Sequence, residues 1–266
     1  MELTLPALLT AAILGLVQGL TEFLPVSSST HLRFLHALFS FDAGASSVAF
    51  DVTLHAGTLC AVVIVLWRPQ IIQKTPALRT VCMLAVSLAS TVIVYIILKK
   101  AGITMKDSAV GADEHAVLIM FAAGLLVTGV LLIATRFIKN NTRDALSLGL
   151  VFAVVVGSAQ GLALLPGISR SGITIISSLF LGAAPGFAGT YSFLLSIPAI
   201  LGAAAMDIRH IAALDPLVLA VGFICAFISG FAALKLLITL IKKGRFYFFG
   251  FYCIAAGITA LVVLLR

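Results

Sequence analysis

One segment of this sequence that could do chemistry runs from Gln18 to His31, inside an apolar part of the chain. It reads Gln-Gly-Leu-Thr-Glu-Phe-Leu-Pro-Val-Ser-Ser-Ser-Thr-His and combines the carboxylate of Glu22 with a run of hydroxyls and an imidazole. A hydroxyl within reach of a base is the arrangement that activates a nucleophile or a water molecule. Because Ser28 and His31 are three residues apart, a helix would bring the two side chains together. The segment therefore predicts one half of an active site.

A second segment, from Pro166 to Thr174, places one arginine among hydroxyls at the start of a helix. Arg170 stands between Ser169 and Ser171 and follows the helix-breaking pair Pro-Gly. Backbone N–H groups at a helix N-terminus and a guanidinium together form an anion site, and the planar fork of arginine suits phosphate. The two segments together offer a nucleophile or water activator, a base and an oxyanion clamp. Phosphoryl transfer needs this set of groups.

Some of these side chains also have a structural interpretation. Serines and threonines at a helix start commonly cap it, and capping is favoured over catalysis for Ser29, Thr30 and Ser171. His31 alone could be a core histidine with satisfied hydrogen bonds. Its position near Glu22 and three serines favours a functional role instead.

Ion pairing is the structural alternative for Arg170. The partner would be Glu22 or Asp51, but the flanking Pro-Gly, Ser and Gly favour an exposed backbone concavity that binds phosphate. Asp51 and His55 stand four residues apart, so they share one helix face and can hydrogen-bond each other. This spacing predicts a supporting role for them behind the reacting groups.

The composition identifies the class of protein that carries these segments. The chain has 266 residues, of which 61% are hydrophobic and 10% charged, and its mean hydropathy is +1.20. A soluble domain is about 45–50% apolar and about 25% charged, so a soluble globule and a disordered chain are both excluded. The net charge of +7 is typical of basic cytoplasmic loops, and we expect no nucleic-acid partner. What remains is a helical membrane protein with several spans.

Eight apolar runs have the length of about 20 residues that a membrane-spanning helix needs. They cover residues 5–24, 48–67, 77–98, 115–137, 145–165, 187–206, 215–241 and 246–265. The first and the fifth run lead through a proline into segments that do not fit a span, residues 28–40 and 167–184. We therefore predict six transmembrane helices plus two re-entrant helix-break-helix hairpins, at 5–40 and 145–184.

The two hairpins are repeats of each other. Gln18 matches Gln160, and five further identical pairs stand at the same offset of 142. Each hairpin is followed by three spanning runs, and three crossings invert the second half relative to the first. The sequence therefore predicts an all-α integral membrane protein with one membrane domain, residues 1–266, made of two inverted-topology repeats of about 1–140 and 141–266.

The loop charges orient this arrangement in the membrane. On one face, the loops at 68–76, 138–144 and 242–245 with their flanking residues carry nine lysines and arginines against one aspartate. The loops of the other face carry four basic and five acidic residues. The positive-inside rule assigns the basic face to the cytoplasm. Both termini and the mouth of the first hairpin then lie outside.

Three motifs resemble the signature motifs of the undecaprenyl-diphosphatase, or bacitracin-resistance protein, family. They are Gln18-x-x-x-Glu22, Pro25-Val-Ser-Ser-Ser-Thr-His31 and Pro166-Gly-Ile-Ser-Arg170-Ser-Gly. The similarity runs over essentially the whole chain. It implies hydrolysis of undecaprenyl diphosphate to the monophosphate lipid carrier of cell-wall synthesis, in the bacterial inner membrane, at a site open to the periplasm. It also implies a divalent cation, Mg or Ca, and no organic cofactor.

The resemblance carries functional residues over to seven positions. They are Glu22, Ser27, Ser28, His31, Ser169, Arg170 and Thr174. Ser28 resembles the proposed nucleophile. The family often has glutamate where this chain has Gln18, which weakens a metal role for that pair and leaves Glu22 as the expected metal ligand.

From the residues and the resemblance together we expect a lipid-diphosphate phosphatase. Ser28, or a water held by it, attacks the terminal phosphate, while His31 moves the proton and Glu22 orients His31 or helps to hold a cation. Arg170 clamps the phosphate, and the prenyl tail lies in a lipid-facing groove. The other expected phosphate-binding residues are Ser27, Ser169, Ser171, Thr174 and Gln18.

A transporter or a flippase of the polyprenyl phosphate carrier is the alternative. Inverted repeats and charges at mid-membrane depth are also features of transporters. A transporter needs a recognition site, but it does not need serines beside a base and an arginine clamp. Membrane lipid surrounds either kind of protein, and the sequence leaves a homodimer open.

The predicted topology can be tested with cysteines introduced at positions 110 and 141 of a cysteine-free variant. Because position 110 lies in an outer loop and position 141 in a basic loop, a membrane-impermeant thiol reagent added to intact cells should label only position 110. Labelling at 141 but not at 110 would overturn the arrangement.

Overall fold

The computed structural model describes residues 4–39, 45–66, 77–103, 114–138, 142–143, 147–207 and 215–264. Within these ranges the chain forms ten α-helices, one 3-10 turn at Thr135–Phe137 and no strand, which confirms the all-α class. The helices are α1 (Leu5–Phe23), α2 (Ser28–Leu38), α3 (Ala45–Leu66), α4 (Ala77–Lys100), α5 (Glu114–Ala134), α6 (Leu150–Leu162), α7 (Arg170–Phe180), α8 (Pro185–Asp207), α9 (Pro216–Lys242) and α10 (Phe248–Leu264). The predicted loop at 68–76, most of that at 138–144 and the labelling position 110 lie outside the described residues.

Five helices of the described chain are long and apolar enough to cross a membrane. They are Leu5–Phe23, Leu78–Lys100, His115–Phe137, Pro185–Gly202 and Pro216–Lys242. The predicted spans at 48–67 and 246–265 coincide with shorter apolar helices. Apolar side chains on the outer faces are strongly exposed, for example Ile93 at 58% and Ile97 at 59%, which lipid tolerates and water does not. The chain is a multi-pass membrane protein.

The break between α1 and α2 is a tight turn at Leu24–Ser27. Leu24 is extended, with ψ of 141°, and Pro25 lacks the N–H that would continue the helix. The Val26 N–H donates to the Leu24 carbonyl at 2.8 Å. Ser27 then adopts a left-handed conformation with φ of 64°, which costs a residue with a Cβ on the order of 1 kcal/mol. Helix α2 begins at the next residue, as the proline predicts.

The break between α6 and α7 covers residues 163–169. Gly167 has φ of 82° and lies against the Phe121 carbonyl of α5, so a side chain there would be strained and would collide. Ser169 caps α7, because its Oγ accepts a hydrogen bond from the Gly172 N–H at 3.1 Å. Both predicted helix breaks are confirmed.

Close helix packing relies on equivalent glycines in the two halves. Helix α1 packs along α9, and α6 packs along α4. A Cβ on Gly15 would collide with the Gly222 carbonyl of α9, and a Cβ on Gly157 would collide with the Ser87 carbonyl of α4. Small residues at such contacts let helix backbones approach each other inside a membrane. The first helix of each break is therefore held by backbone-to-backbone contact.

We expect Gly157→Ala to lower the stability of the protein by about 1–3 kcal/mol, because the added methyl group meets a backbone carbonyl rather than a movable side chain. Gly202→Ala is the matched control, since no heavy atom of the described residues lies within 4 Å of its added Cβ. That change should be neutral or stabilising. Thermal unfolding of both variants in one detergent compares them, and equal midpoints would contradict the tight contact.

Candidate active site

The carboxylate of Glu22, in the last turn of α1, is the centre of a polar cluster between the two breaks. Its side chain is 4% exposed. Oε2 accepts hydrogen bonds from Gln18 Nε2 at 3.0 Å and from Ser28 Oγ at 2.8 Å. Oε1 accepts one from Arg170 Nη2. One buried carboxylate therefore joins α1, α2 and α7.

Arg170, the first residue of α7, reaches Glu22 from the other half of the chain. Its side chain is 21% exposed, and its ion pair with Glu22 uses Nη2. Its second terminal nitrogen, Nη1, is buried and has no hydrogen-bond partner among the described residues. A guanidinium with a donor to spare can bind an anion without releasing its carboxylate. The ion-pair and phosphate interpretations of Arg170 are therefore compatible.

The serine hydroxyls at the start of α2 point in two directions. Ser28 donates to Glu22, whereas Ser27 Oγ lies 3.2 Å from Ser29 Oγ and 2.9 Å from Thr30 Oγ1. Ser29 and Thr30 thus pair with another hydroxyl rather than forming the backbone caps that their position predicts. Only one of the three serines presents its hydroxyl to the carboxylate.

The hydroxyls around Arg170 fix the start of α7. Ser169 is the cap, in place of the predicted Ser171. Ser171 Oγ instead donates to the Leu24 carbonyl of the first break at 3.3 Å. Thr174 Oγ1 lies 2.6 Å from Ser192 Oγ of α8 and is fully buried, so it ties α7 to α8. The two breaks are in direct contact.

A cavity of about 230 Å³ opens onto this cluster. It has room for a phosphate group, because one water molecule takes about 30 Å³ of liquid volume. The expected site residues on its wall are Glu22, Ser27, Ser28, His55, Ser169, Arg170 and Ser171. Gln18 supports Glu22 through its hydrogen bond.

His31 faces a different cavity. Its Nδ1 lies 2.9 Å from the Ser27 carbonyl and its Nε2 lies 2.7 Å from the Tyr252 hydroxyl of α10. These two residues line a mostly apolar cavity of about 610 Å³ among α1, α2, α5 and α10. The hydrogen bond of Ser28 goes to Glu22, so the Ser28–His31 contact that helical spacing predicts is not what the structure shows. The proton-transfer role of His31 stays a prediction from the sequence, whereas the contacts of Ser28 favour Glu22 as the acceptor of its proton.

Asp51 and His55 stand at different distances from the cluster. His55 Nε2 lies 3.6 Å from Glu22 Oε2, and His55 Nδ1 donates to the backbone carbonyl of Asp51 at 2.7 Å. The Asp51 carboxylate lies 3.5 Å from His36 Nε2 instead. The predicted link between Asp51 and His55 therefore runs through the backbone, and His55 is the one of the two that touches the site.

The groups around Glu22 do not fit direct binding of a divalent cation by this residue. Mg²⁺ and Ca²⁺ take several oxygen ligands. An ion here would stand beside the Arg170 guanidinium at one carboxylate oxygen and beside two hydrogen-bond donors at the other. The part of the chain that the structure describes holds no group of three His, Cys, Asp or Glu side chains placed for a metal. The geometry therefore lends no support to the expected metal role of Glu22.

Among the cavity-lining residues outside the predicted set are Thr91, Gln160 and Tyr252, whose side chains hydrogen-bond near the site. Thr91 and Tyr252 belong to apolar spans without a motif, so nothing in the sequence marks them. Gln160 matches Gln18 in the repeat. The offset of 142 could therefore have identified it.

These features define a helical membrane protein in which two helix breaks place a serine, a carboxylate and an arginine at one cavity. This set of groups is suited to phosphoryl transfer. Residues 11–259 match the family described as Bacitracin resistance protein BacA. The chain belongs to this family, as its motifs predict.

Curated relatives match nearly the full length of the chain. It is 39% identical over 264 residues to an undecaprenyl-diphosphatase of Treponema denticola, an alignment that covers 93% of this chain and 94% of that protein. Undecaprenyl-diphosphatases of Desulfatibacillum aliphaticivorans and Bacteroides thetaiotaomicron are 38% and 36% identical to it, and each alignment covers 96% of this chain and 98% of the relative.

We expect Glu22→Gln to destabilise the protein, because the mostly buried Arg170 guanidinium then lacks a counter-ion. Breaking a buried ion pair from one side costs about 3–5 kcal/mol. The double variant Glu22→Gln/Arg170→Gln should recover part of that loss, since it leaves no charge unpaired. Unfolding midpoints of the wild type, both single variants and the double variant give the coupling free energy between Glu22 and Arg170. Strictly additive losses would contradict a direct ion pair.

Proposed function

We propose that this protein hydrolyses undecaprenyl diphosphate to undecaprenyl phosphate and inorganic phosphate. The observation that carries the proposal is the meeting of Ser28, Glu22 and Arg170 on one cavity. Membership in the BacA family and relatives named undecaprenyl-diphosphatase support the same reaction. The protein is accordingly a membrane phosphatase that regenerates a lipid carrier for cell-wall synthesis and confers bacitracin resistance.

The terminal phosphate binds at the start of α7. The Arg170 guanidinium neutralises its charge, with Nη1 as the donor that the ion pair leaves available. The first backbone N–H groups of a helix point toward such an anion. Ser169 and Ser171 add hydroxyls on the same wall. The bound phosphorus then faces the hydroxyl of Ser28 across the cavity.

Ser28 is the nucleophile of this proposal. Its Oγ bonds to the terminal phosphorus while the bond from phosphorus to the bridging oxygen breaks, and undecaprenyl phosphate leaves with that electron pair. The hydroxyl proton passes to Glu22 Oε2, to which Ser28 already donates at 2.8 Å. Water then attacks the phosphoserine, inorganic phosphate leaves and the Ser28 hydroxyl is restored. His55, 3.6 Å from the same carboxylate oxygen, helps to orient Glu22.

The prenyl chain lies in the apolar cavity beside His31 and Tyr252. The first turn of α2 separates the two cavities, because Ser28 and Ser29 line the polar one and Thr30 and His31 line the apolar one. A lipid whose phosphates face Ser28 can therefore pass its tail over this turn. The apolar lining from α1, α5 and α10 suits a hydrocarbon chain.

The two-repeat architecture and the membrane location belong to the same proposal. Two inverted repeats, about 1–140 and 141–266, form one membrane domain in the bacterial inner membrane, and the catalytic cavity opens to the periplasm. The pairs of packed helices support this symmetry, since exchanging the two halves turns the α1–α9 pair into the α6–α4 pair. The α5–α10 and α3–α8 pairs map onto themselves.

The expected divalent cation and the transporter alternative have no catalytic role in this proposal. A divalent cation enters this proposal only as an ion held by the oxygens of the diphosphate, because Glu22 is already surrounded by donors. A transporter or flippase is not favoured, since the matching relatives carry the name of a phosphatase. No step is assigned to either.

Phosphate release from undecaprenyl diphosphate by the purified protein tests the function. Arg170→Lys keeps a positive charge but loses the planar fork that can bind phosphate and Glu22 together, so it should lose most of the activity. The wild type assayed in the same detergent is the reference. Near-normal turnover by the lysine variant would show that a point charge is sufficient, and an inactive wild type would contradict the function itself.

Ser28→Ala and Ser29→Ala form a matched pair that tests the nucleophile. Ser28→Ala should lower kcat at least ~100-fold, whereas Ser29→Ala should lower it little, because of these two serines only Ser28 donates to Glu22. The double variant Ser28→Ala/Glu22→Gln should be hardly slower than either single variant, since members of one catalytic unit are not additive. If Ser28→Ala keeps a normal kcat while Glu22→Gln is inactive, a water activated by Glu22 is the attacking group.

A further inference from the structure

Gln160 stands on the wall of the catalytic cavity and has no part in the chemistry described above. It lies in the last turns of α6, is 3% exposed and shares the cavity with Glu22, Ser28 and Arg170. Its side-chain oxygen, Oε1, is buried and has no hydrogen-bond partner among the described residues. A buried acceptor without a partner costs about 1–3 kcal/mol. On a cavity wall, such an acceptor is placed to receive a hydrogen bond from a bound molecule.

The orientation of the Gln160 amide follows from its contact with Thr91 of α4. Thr91 Oγ1 lies 2.8 Å from the Ser87 carbonyl and 2.8 Å from the Gly157 carbonyl, and a carbonyl only accepts. The single hydroxyl proton of Thr91 is therefore committed to the backbone. Thr91 can only accept from Gln160, whose Nε2 makes this bond at 3.2 Å. The amide nitrogen is thereby fixed, and Oε1 is the polar atom of Gln160 that is left without a partner among the described residues.

The equivalent glutamine of the first half makes a different contact. Gln18 uses its Nε2 to donate to Glu22, four residues further along α1. At the offset of 142, the second half has Leu164 in place of Glu22, so Gln160 has no carboxylate beside it. The repeat therefore places a glutamine in both halves, and the one in the second half lies on the cavity wall.

The chemistry of an amide oxygen restricts what it can bind. The Arg170 guanidinium and the serine hydroxyls on the cavity wall are donors that suit ionised phosphate oxygens. The Glu22 carboxylate on the same wall is an acceptor, but it already receives hydrogen bonds from Gln18, Ser28 and Arg170. An amide oxygen repels such an oxygen but accepts a hydrogen bond from a protonated one. A phosphate group keeps one proton below about pH 6, where its second ionisation lies. A P–OH group is therefore a donor that the substrate itself supplies.

We propose that Gln160 positions the substrate by accepting a hydrogen bond from the hydroxyl of a singly protonated terminal phosphate. The inference rests on the proposed function for the identity of the substrate. It makes Gln160 the residue that selects a protonated phosphate over an anion without a proton. The charge of the site agrees, because Glu22 already offsets Arg170, and a singly charged group is easier to bury than a doubly charged one.

Inorganic phosphate and sulfate test this selection without turnover. The two anions have similar size and tetrahedral shape, but only phosphate carries a proton at about pH 6. We expect calorimetry on the purified wild type to show phosphate bound at least about tenfold more tightly than sulfate, the effect of one hydrogen bond to a charged group. Gln160→Met, which keeps the side-chain length and removes the acceptor, should bind the two anions equally.

Thr91 offers a matched pair of variants that leaves Gln160 in place. Thr91→Val removes the hydroxyl that fixes the amide, so the amide can turn its nitrogen to the cavity and the preference for phosphate should shrink. Thr91→Ser keeps the hydroxyl and should keep the preference. This pair decides the question even where Gln160→Met does not fold.

Several outcomes would overturn the proposal. One is a wild type that shows no preference for phosphate, including one that binds neither anion. A preference that survives in both Gln160→Met and Thr91→Val is another. A preference that appears only with added Mg²⁺ would show that the amide oxygen binds a cation instead. A wild type that prefers phosphate but releases none from undecaprenyl diphosphate would contradict the proposed function and leave the anion selection standing.

Discussion

The buried ion pair between Glu22 and Arg170 is the interaction on which the rest of this structure depends. Moving a carboxylate or a guanidinium out of water costs several kcal/mol per ion, and only a partner with good geometry offsets that cost. Each half of the chain supplies one of the two charges, so neither half could bury its own without the other. The pair therefore sets how the two helix breaks face each other, and the cavity with its serine follows from that placement.

The irregular backbone of the two breaks must also be stabilised, because each free N–H and C=O group at membrane depth needs a hydrogen-bond partner. Here the partners come from across the molecule. The Leu24 carbonyl accepts from Ser171 of the other break, and the Pro25 carbonyl accepts from the Cys253 thiol of α10. The Ser169 N–H donates to the Thr128 hydroxyl of α5. The free backbone groups of the breaks therefore have partners on neighbouring helices, and the same contacts hold Ser28, the proposed nucleophile, and Arg170, the proposed phosphate clamp, in place.

The two breaks share their framework and differ in their chemistry. Ser27 and Ser169 occupy equivalent positions at the two helix starts, and the next residues are Ser28 and Arg170. Ser28, the proposed nucleophile, and Arg170, the proposed phosphate clamp, therefore stand 142 residues apart, the same offset that relates the two proposed repeats. Two similar helix breaks thereby bring a serine and an arginine to the same cavity. The carboxylate that links them exists only in the first half, because Leu164 stands at its counterpart.

Composition, run length and proline positions were sufficient to predict an all-α membrane protein with breaks near Pro25 and Pro166, because these follow from local chain chemistry and from the thickness of the bilayer. The motifs were sufficient to bring Glu22 and Arg170 into one site. The sequence could not decide whether His31 or His55 contacts that site. Helical spacing alone allows His31 to reach Ser28, and it says nothing about the distance from His55 to Glu22. The tertiary structure decided it: α10 supplies Tyr252 to His31, and α3 brings His55 to Glu22. Such contacts join residues far apart in the chain, and side-chain direction there depends on packing between helices, which no local pattern encodes.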